Sequence, residues 1–284
     1  MIPLPPDLSA QVAAALREDI GTGDITAHLV PATQQVRGAV VTREPAVLCG
    51  TAWVQETFRQ LDPAIRVSWQ AQDGEQVAAD QTLFELEGSA RPVLTGERTA
   101  LNFLQLLSAT ATAARAFTQA IAGTGCEILD TRKTIPGLRT AQKYAVRCGG
   151  ARNHRMGLYD QVLIKENHIA AAGSLTAAIQ AGRRAAAGAA KVEVEVETLE
   201  EFAAALAAGP DIILLDEFSL ADMRTAVALN KAHQRPVKIE ASGSVSLQTV
   251  RQVAETGVDY ISIGGITKHV RAVDLSMRLA FSHG

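Results

Sequence analysis

The segment "LDTRKT", from Leu129 to Thr134, places charged side chains directly after an apolar run. The preceding residues "CEIL" are apolar and compatible with a β-strand, and the cations Arg132 and Lys133 follow within a few residues. Arginine forks match the geometry of carboxylates and phosphates, and lysine adds a compact positive charge. The segment therefore predicts a site for an anionic ligand at the end of a strand.

A longer basic segment surrounds this site. Residues 131–159 contain no Asp or Glu, and their cations and single histidine are Arg132, Lys133, Arg139, Lys143, Arg147, Arg152, His154 and Arg155. In a chain of net charge -3 this is a strong local positive field. Arg139, Lys143 and Arg147 follow at intervals of four, which predicts one helical stripe facing solvent or an interface. His154 and Arg155 instead flank glycine-containing loops, as Arg132 and Lys133 do, and are assigned to the anion site.

Acidic residues form a second pattern. Glu193, Glu195 and Glu197 alternate with valines, so a strand would carry all three on one face. Burial of an unpaired carboxylate is costly, and at least one of them must therefore meet a cation, a metal or ligand hydroxyl groups. Asp216 ends the run "IILLD". Glu195 and Asp216 are predicted to be functional, and a salt bridge to Lys165 or Arg132 stays open as the structural alternative.

Lysine and glycine complete the set of candidate residues. Lys165, in "LIKEN", could be a Schiff-base nucleophile, an anion contact or one half of a structural ion pair. The last two apolar runs end in "EASGSVS" and "SIGGITKH". Backbone N–H groups in such loops can hold a phosphate, and the residues proposed for this are Ser242, Gly243, Gly264 and Gly265.

The elements that position these residues alternate regularly. After residue 125, six short apolar runs alternate with Ala-rich helical segments, which predicts a parallel sheet. Every run ends in polar or glycine residues, and no GxGxxG follows any of them. A closed or nearly closed α/β barrel, with its site at the carboxyl ends of the strands, is favoured over a flat doubly wound sheet.

Composition limits the class of protein. The 284 residues suit one large α/β domain, or a domain of about 200 residues with a smaller one. The net charge gives no global attraction to nucleic acid or membrane, and the basic segment lacks interleaved aromatic residues beyond Tyr144 and Tyr159. Three widely spaced cysteines fit a reducing compartment. Neither a signal peptide nor a membrane-spanning stretch is apparent, and a cytoplasmic protein is expected.

Several longer segments resemble one family. They are "ALREDIGTGDIT", "GERTALNFLQLLS", "LDTRKTIPGLRTAQKYAVRCGGARNHRMGLYDQVLIKENHI", "VEVEVETLEE" and "ISIGGITKHVRAVDLSMRLA". Together they are similar to the quinolinate phosphoribosyltransferases over nearly the whole chain. The resemblance implies a small N-terminal α/β sandwich, residues 1–112 with the return of residues 271–284, and an incomplete seven-stranded α/β barrel, residues 113–270.

The resemblance also implies a reaction. Such enzymes transfer phosphoribosyl from phosphoribosyl pyrophosphate to quinolinate with Mg²⁺, and release nicotinate mononucleotide, pyrophosphate and CO₂ in de novo NAD biosynthesis. The unit is a homodimer in which one subunit caps the other's site, and the choice between dimer and hexamer stays open. A paralogue linked to molybdenum transport and a Schiff-base barrel acting through Lys165 are the enzymatic alternatives, and a nucleic-acid binder is the non-enzymatic one.

By resemblance, each candidate residue acquires a role. The quinolinate carboxylates would meet Arg132, His154, Arg155 and Lys165. Substrate would also meet Thr131, Lys133 near the pyrophosphate, and Arg98 from the neighbouring subunit. Glu195 and Asp216 would contact ribose hydroxyls and Mg²⁺, and Lys133, Lys165, Glu195 and Asp216 are the expected catalytic set. The 5′-phosphate would lie on Ser242, Gly243, Gly264 and Gly265. Three motifs depart from the common family pattern, at Glu217, at Ser244 and at the pair Gly265-Ile266.

Overall fold

A computed structural model describes residues 2–281 of the chain. Contacts between Cα atoms divide it into two compact units. The first comprises Met1–Arg115, Thr134–Gly150 and Ile266–Gly284, and the second comprises Ala116–Lys133 and Ala151–Gly265.

The helices and strands are numbered along the chain. The helices are α1 Leu8–Ile20, α2 Thr51–Leu61, α3 Ala90–Ala120, α4 Arg139–Cys148, α5 Glu166–Ala172, α6 Leu175–Ala186, α7 Leu199–Ala208, α8 Leu220–Ala232, α9 Val250–Ala254 and α10 Gly265–Lys268, with a short 3-10 helix at Thr26–Leu29. The strands are β1 Gln35–Thr42, β2 Ala46–Val47, β3 Arg66–Trp69, β4 Gln76–Val77, β5 Thr82–Ser89, β6 Glu127–Leu129, β7 Gln161–Ile164, β8 Lys191–Val196, β9 Ile212–Asp216, β10 Lys238–Ser242, β11 Tyr260–Ser262 and β12 Leu275–Phe281.

The first unit is built on an antiparallel sheet in the order β12-β1-β5-β3, with β2 and β4 paired separately. The C-terminal strand returns to this sheet, because β12 pairs with β1 from Val36 opposite Phe281 to Thr42 opposite Leu275. The β-branched residues Val36 and Val40 of β1 are buried in the core of the unit. Residues 282–284 of the segment predicted to return lie outside the described residues.

Helix α4 belongs to the first unit, although the sequence analysis assigned residues 134–150 to the barrel. Its residues Ala141, Tyr144, Ala145 and Cys148 pack in one cluster with residues of α1, α2 and α3, which explains the grouping. The predicted exposed stripe is wrong for Lys143, which is only 1% exposed. All residues from 141 to 146 are buried, because α4 is covered on more than one side, whereas Arg147 is exposed.

The second unit contains the six predicted strands as one parallel sheet, in the order β6-β11-β10-β9-β8-β7. The first strand of the unit, β6, therefore lies beside the last, β11. This neighbour relation is how a strand-helix series closes on itself as a barrel, and it rules out the flat doubly wound order. Val192, Val194 and Val196 of β8 are fully buried, as expected for a strand covered on both faces.

The barrel is incomplete and has six strands, not the seven that the resemblance implied. The seventh position holds a single parallel bridge between Leu129 and Arg152. The strand does not continue, because the next residues bond to a side chain instead: Asn153 Nδ2 and the His154 N–H both donate to Asp130, at 2.7 and 2.8 Å. Among residues 2–281, no pairing joins this bridge to β7, and the barrel is open there.

Within the described chain, no helix combines the length and the apolar character needed to cross a membrane.

Candidate active site

The parallel order of the sheet brings the candidate residues of the second unit to one edge. Ser242 at the end of β10 lies opposite Asp216 at the end of β9, and Glu195 is opposite Leu214. The remaining candidates follow the ends of β6, β7, β10 and β11, and they are Thr131, Arg132, Lys133, Lys165, Gly243, Gly264 and Gly265. The predicted position of these residues at the carboxyl ends of strands is confirmed.

Arg132 and Arg155 are electrostatically coupled. The pKa of the Arg155 guanidinium is lowered, first because burial disfavours its charged form and second because Arg132 carries a like charge nearby. Arg155 Nη1 donates to the Gln161 carbonyl at 3.2 Å, which orients its side chain. Two like-charged guanidinium groups in a partly buried environment favour binding of an anion, because its negative charge offsets their repulsion.

Lys165 forms an ion pair with Glu195 through its Nζ and the carboxylate Oε2. The Lys165 side chain is about half-exposed, whereas that of Glu195 is mostly covered. Lys165 also precedes α5, and its N–H donates to His168 Nδ1 at 3.0 Å. The salt-bridge alternative for Glu195 is thus observed. Because Lys165 Nζ is engaged by a carboxylate and is not available to attack a carbonyl group, the geometry argues against Schiff-base chemistry.

Lys133 lies against the glycine loop after β11. A Cβ atom at Gly264 would be 3.0 Å from Lys133 Cδ and 3.4 Å from Thr131 Oγ1. The Lys133 N–H donates to Thr131 Oγ1 at 3.0 Å, and this holds the turn after β6. Glycine at position 264 is what allows the lysine stem to pass so close.

The carboxylate of Glu217, a residue that follows β9, lies against the loop after β10. Glu217 has a left-handed backbone, φ 52°, and its N–H donates to the Ser242 carbonyl at 3.0 Å. Ser244 Oγ donates to Glu217 Oε1 at 3.0 Å, and a Cβ at Gly243 would lie 2.7 Å from Glu217 Oε2. The proposed phosphate loop therefore has a negative charge directly on it.

A cluster of acids and one histidine lies deeper in the sheet. Glu193 and Glu240 are fully buried, and the His154 side chain is 9% exposed. His154 Nε2 is 3.0 Å from Glu193 Oε2 and 3.6 Å from Glu240 Oε2. Burial raises the pKa of Glu240 well above its ordinary value, and the charge of Glu193 raises it further. Both effects favour the protonated form of Glu240.

His154 contacts other residues through both nitrogens of its ring. Its Nδ1 accepts the Arg155 N–H at 2.7 Å and its Nε2 faces Glu193, so both ring nitrogens have partners within the protein. Direct contact with quinolinate stays a prediction. The alternation of glutamates predicts that one of β8 needs a partner, whereas the contributions of Gln161 and of the buried Asp130 were not predicted: Gln161 donates to Glu193, and Asp130 accepts from the His154 N–H. The position of Asp130 in "LDTRKT", at a strand end, was the available signal.

Arg98 lies on α3 in the first unit. It lines a cavity of about 510 Å³ together with Asp19, Asp24 and Thr95. Thr95 Oγ1 donates to Asp24 Oδ2 at 2.7 Å, and this hydrogen bond is the main reason why the pKa of Asp24 is lowered. The predicted contribution of Arg98 to a neighbouring subunit's site stays a prediction.

Comparison with known proteins matches both units. Residues 24–108 match the family described as quinolinate phosphoribosyl transferase, N-terminal domain, and residues 110–278 match its C-terminal domain. A nicotinate-nucleotide pyrophosphorylase [carboxylating] of Mycobacterium leprae is 43% identical over 275 residues, covering 94% of this chain and 95% of the relative. A probable nicotinate-nucleotide pyrophosphorylase [carboxylating] of Bacillus subtilis is 40% identical over 266 residues, covering 94% and 91%.

A solved structure agrees with these relatives. The nicotinate-nucleotide pyrophosphorylase from Francisella tularensis superposes with a TM-score of 0.93 at 44% identity, covering 98% of each chain. Matches to both domain families over most of the sequence, with identities of 40% or more and one shared fold, establish the relationship. The chain belongs to the quinolinate phosphoribosyl transferase family.

Proposed function

We propose that this chain transfers the phosphoribosyl group of phosphoribosyl pyrophosphate to quinolinate with decarboxylation. The products are nicotinate mononucleotide, pyrophosphate and CO₂, and the reaction belongs to de novo NAD biosynthesis. The observation that carries the proposal is the like charge of Arg132 near the partly buried guanidinium of Arg155, with Lys133 and Lys165 following two strand ends of the same sheet. A dicarboxylate and a pyrophosphate are the ligands that such a cluster favours.

The residues act by binding and orientation. With its carboxylates held by the guanidinium groups, quinolinate presents its ring nitrogen to C1 of the ribose, and pyrophosphate leaves as the new bond forms. The nitrogen is then cationic, so the ring holds the electron pair left by departing CO₂ until a proton replaces it. No protein nucleophile is needed, which agrees with Lys165 being held in an ion pair. Positioning and fixed charges supply the rate enhancement.

Glu195 and Asp216 fit a magnesium ion, since Mg²⁺ prefers carboxylate oxygens. Asp216 is half-buried at the end of β9, and no hydrogen bond or ion pair engages its carboxylate within residues 2–281. Glu195 is already balanced by Lys165, so Asp216 is the freer ligand. When bound, the ion would neutralise charge on the leaving pyrophosphate.

We further propose that the active unit is a homodimer in the cytoplasm. Arg98 belongs to the first unit and the strand-end residues belong to the second, and in the proposed dimer Arg98 of a neighbouring subunit would complete the site. The three cysteines, Cys49, Cys126 and Cys148, are free and buried, as suits a reducing compartment.

The test is a mass-spectrometric assay of the purified protein with phosphoribosyl pyrophosphate, Mg²⁺ and either quinolinate or nicotinate. Nicotinate mononucleotide and CO₂ from quinolinate alone are expected, with loss of turnover when the metal is chelated. Turnover of nicotinate, or of neither acid, would contradict the proposed acceptor. Covalent trapping of substrate on Lys165 by borohydride would instead support the Schiff-base alternative.

A further inference from the structure

Glu193 is linked by hydrogen bonds to His154 and, through Gln161, to Arg155. Its Oε2 atom lies 3.0 Å from His154 Nε2 and accepts a hydrogen bond from Gln161 Nε2 at 2.7 Å. The backbone carbonyl of Gln161 in turn accepts a hydrogen bond from Arg155 Nη1 at 3.2 Å. One buried carboxylate therefore contacts the imidazole directly and reaches the guanidinium through a single residue.

The hydrogen bonds of His154 define which nitrogen carries its proton. Nδ1 accepts the Arg155 N–H at 2.7 Å, so the proton of the neutral ring is on Nε2 and points at Glu193. A metal ion among His154, Glu193 and Glu240 would need the Nε2 lone pair, which this tautomer does not offer. The cluster is therefore an orienting hydrogen-bond network.

Burial restricts Glu193, and a hydrogen bond to Asp130 holds the backbone of the loop that contains His154. Glu193 is fully buried on β8, and the equally buried Glu240 lies in the same cluster. Asp130, also fully buried, accepts from the His154 N–H at 2.8 Å and holds the backbone of the loop. With the loop backbone fixed by Asp130, the remaining freedom is that of the His154 and Arg155 side chains, and Glu193 restricts both.

We propose that Glu193 is a positioning residue for the acceptor half of the site, which orients His154 and, through Gln161, Arg155. This rests on the proposed function, since it assigns these two residues to the quinolinate pocket. Glu193 is fully buried and is expected to act through these two residues, so its removal should weaken quinolinate binding while leaving the binding of phosphoribosyl pyrophosphate unchanged.

The test is Glu193→Gln, which keeps the shape and removes the charge, with Glu200→Gln as the matched control because Glu200 is exposed on α7. We expect the KM for quinolinate to rise roughly tenfold in Glu193→Gln, as for loss of a charge-assisted hydrogen bond. The KM for phosphoribosyl pyrophosphate should stay within about twofold of the parent value. A purely structural role would change both constants, or the amount of active enzyme alone.

A second readout does not need turnover. Nitrogen-15 NMR of the free protein, with His154 assigned through His154→Gln, should show a slowly exchanging Nε2–H proton in the parent and in Glu200→Gln. Glu193→Gln should lose or shift that signal. A parent His154 protonated on Nδ1, or an unchanged quinolinate KM in Glu193→Gln, would overturn the proposal.

A third variant covers failure of Glu193→Gln to fold. Gln161→Met removes the amide that holds Glu193 but keeps the carbonyl that holds Arg155, and it should raise the quinolinate KM several-fold with the Nε2–H signal retained. Equal changes in both KM values for Gln161→Met would refute the orienting network. If the parent enzyme does not use quinolinate at all, the proposed function fails, whereas the NMR result still decides whether Glu193 orients His154.

Discussion

The guanidinium groups of Arg132 and Arg155 carry like charges into a partly buried place, and this arrangement is unfavourable before any ligand binds. The lowered pKa of Arg155 expresses that cost. Glu193 and Glu240 are two acids buried close together; burial and the charge of Glu193 raise the pKa of Glu240, and Gln161 donates a hydrogen bond to Glu193. At this scale the site is a set of charges held together by the fold in spite of their repulsion.

Arg132→Ala should lower kcat/KM for quinolinate at least tenfold, since a charge-assisted contact to a carboxylate contributes about 1.5–3 kcal/mol. Steady-state kinetics with each substrate varied in turn would measure this. Arg224→Ala, a change of the same type at an exposed position on α8, should leave the kinetics unaltered. Parent-like kinetics for Arg132→Ala would remove this residue from the acceptor site.

Glu240→Gln tests whether the fold favours the protonated form of Glu240, with Tm as the measured quantity. Because the pKa of Glu240 is raised in the folded state above its ordinary 4.5, its protonation favours folding at low pH, and that contribution is lost as the pH rises through the folded pKa. Each pH unit within that window changes the free energy of unfolding by about 1.4 kcal/mol. The variant cannot ionise, so its Tm should exceed that of the parent increasingly as the pH rises above 4.5.

The control for this series is Glu200→Gln, which removes an exposed carboxyl group. Its Tm should follow the parent curve at every pH. If the Tm values of Glu240→Gln and of the parent changed in parallel with pH, the fold would not favour protonation of Glu240.

The ends of β9 and β10 position several of the candidate site residues. β9 and β10 end in register at Asp216 and Ser242, and the chain then turns through Glu217 and Gly243. Glu217 adopts a left-handed backbone that disfavours most side chains, and its carboxylate lies on the proposed phosphate loop. These elements thus combine an anion-binding geometry with a negative charge that opposes it.

Glu217→Asn should therefore strengthen binding of the phosphorylated substrate. Removal of the charge beside Gly243 should lower the KM for phosphoribosyl pyrophosphate roughly threefold to tenfold, given the size of charge interactions near a protein surface. Asn also tolerates the left-handed backbone better than Glu, so the Tm should not fall. Kinetics and thermal unfolding would measure both, with Glu200→Asn as the charge-matched control. A higher KM would mean that Glu217 assists the substrate.

At the scale of the whole molecule, the candidate residues are divided between two compact units. Arg98 belongs to the first and the strand-end residues belong to the second. The C-terminal strand β12 pairs within the first unit, so the chain leaves that unit and returns to it. Sharing of the site between subunits would join these two sets of residues in one functional assembly.

Mixing Arg98→Ala with Lys165→Ala tests this sharing. Each variant alone should be nearly inactive, but a heterodimer would contain one site without either substitution. After dissociation and reassociation of equal amounts, half of the dimers are mixed and each has one intact site of two, so about a quarter of the parent activity should return. Lys165→Ala mixed with Asp216→Ala is the control, because both residues lie in one unit and no intact site can form. An inactive, verified Arg98→Ala/Lys165→Ala heterodimer would exclude sharing.

Local pattern was sufficient for much of this protein. The six apolar runs of the second unit are the six strands, and the polar residues after them lie at one edge, because parallel strands connected by helices all point the same way. The expectation that a glutamate of β8 needs a partner was also correct, since burial of a bare carboxylate is too costly.

Only the tertiary structure decided which side chains meet. Lys143 follows a solvent-facing spacing yet is buried, because α4 is covered by elements distant in sequence. The seventh strand is reduced to the bridge at Arg152, because Asp130 bonds the residues that would extend it. Spacing identifies residues that share a face, but the contact of His154 with Glu193 depends on how strands from different parts of the chain are ordered and aligned. Periodicity within a segment does not determine the order and register of the strands, because these depend on the packing of the whole sheet.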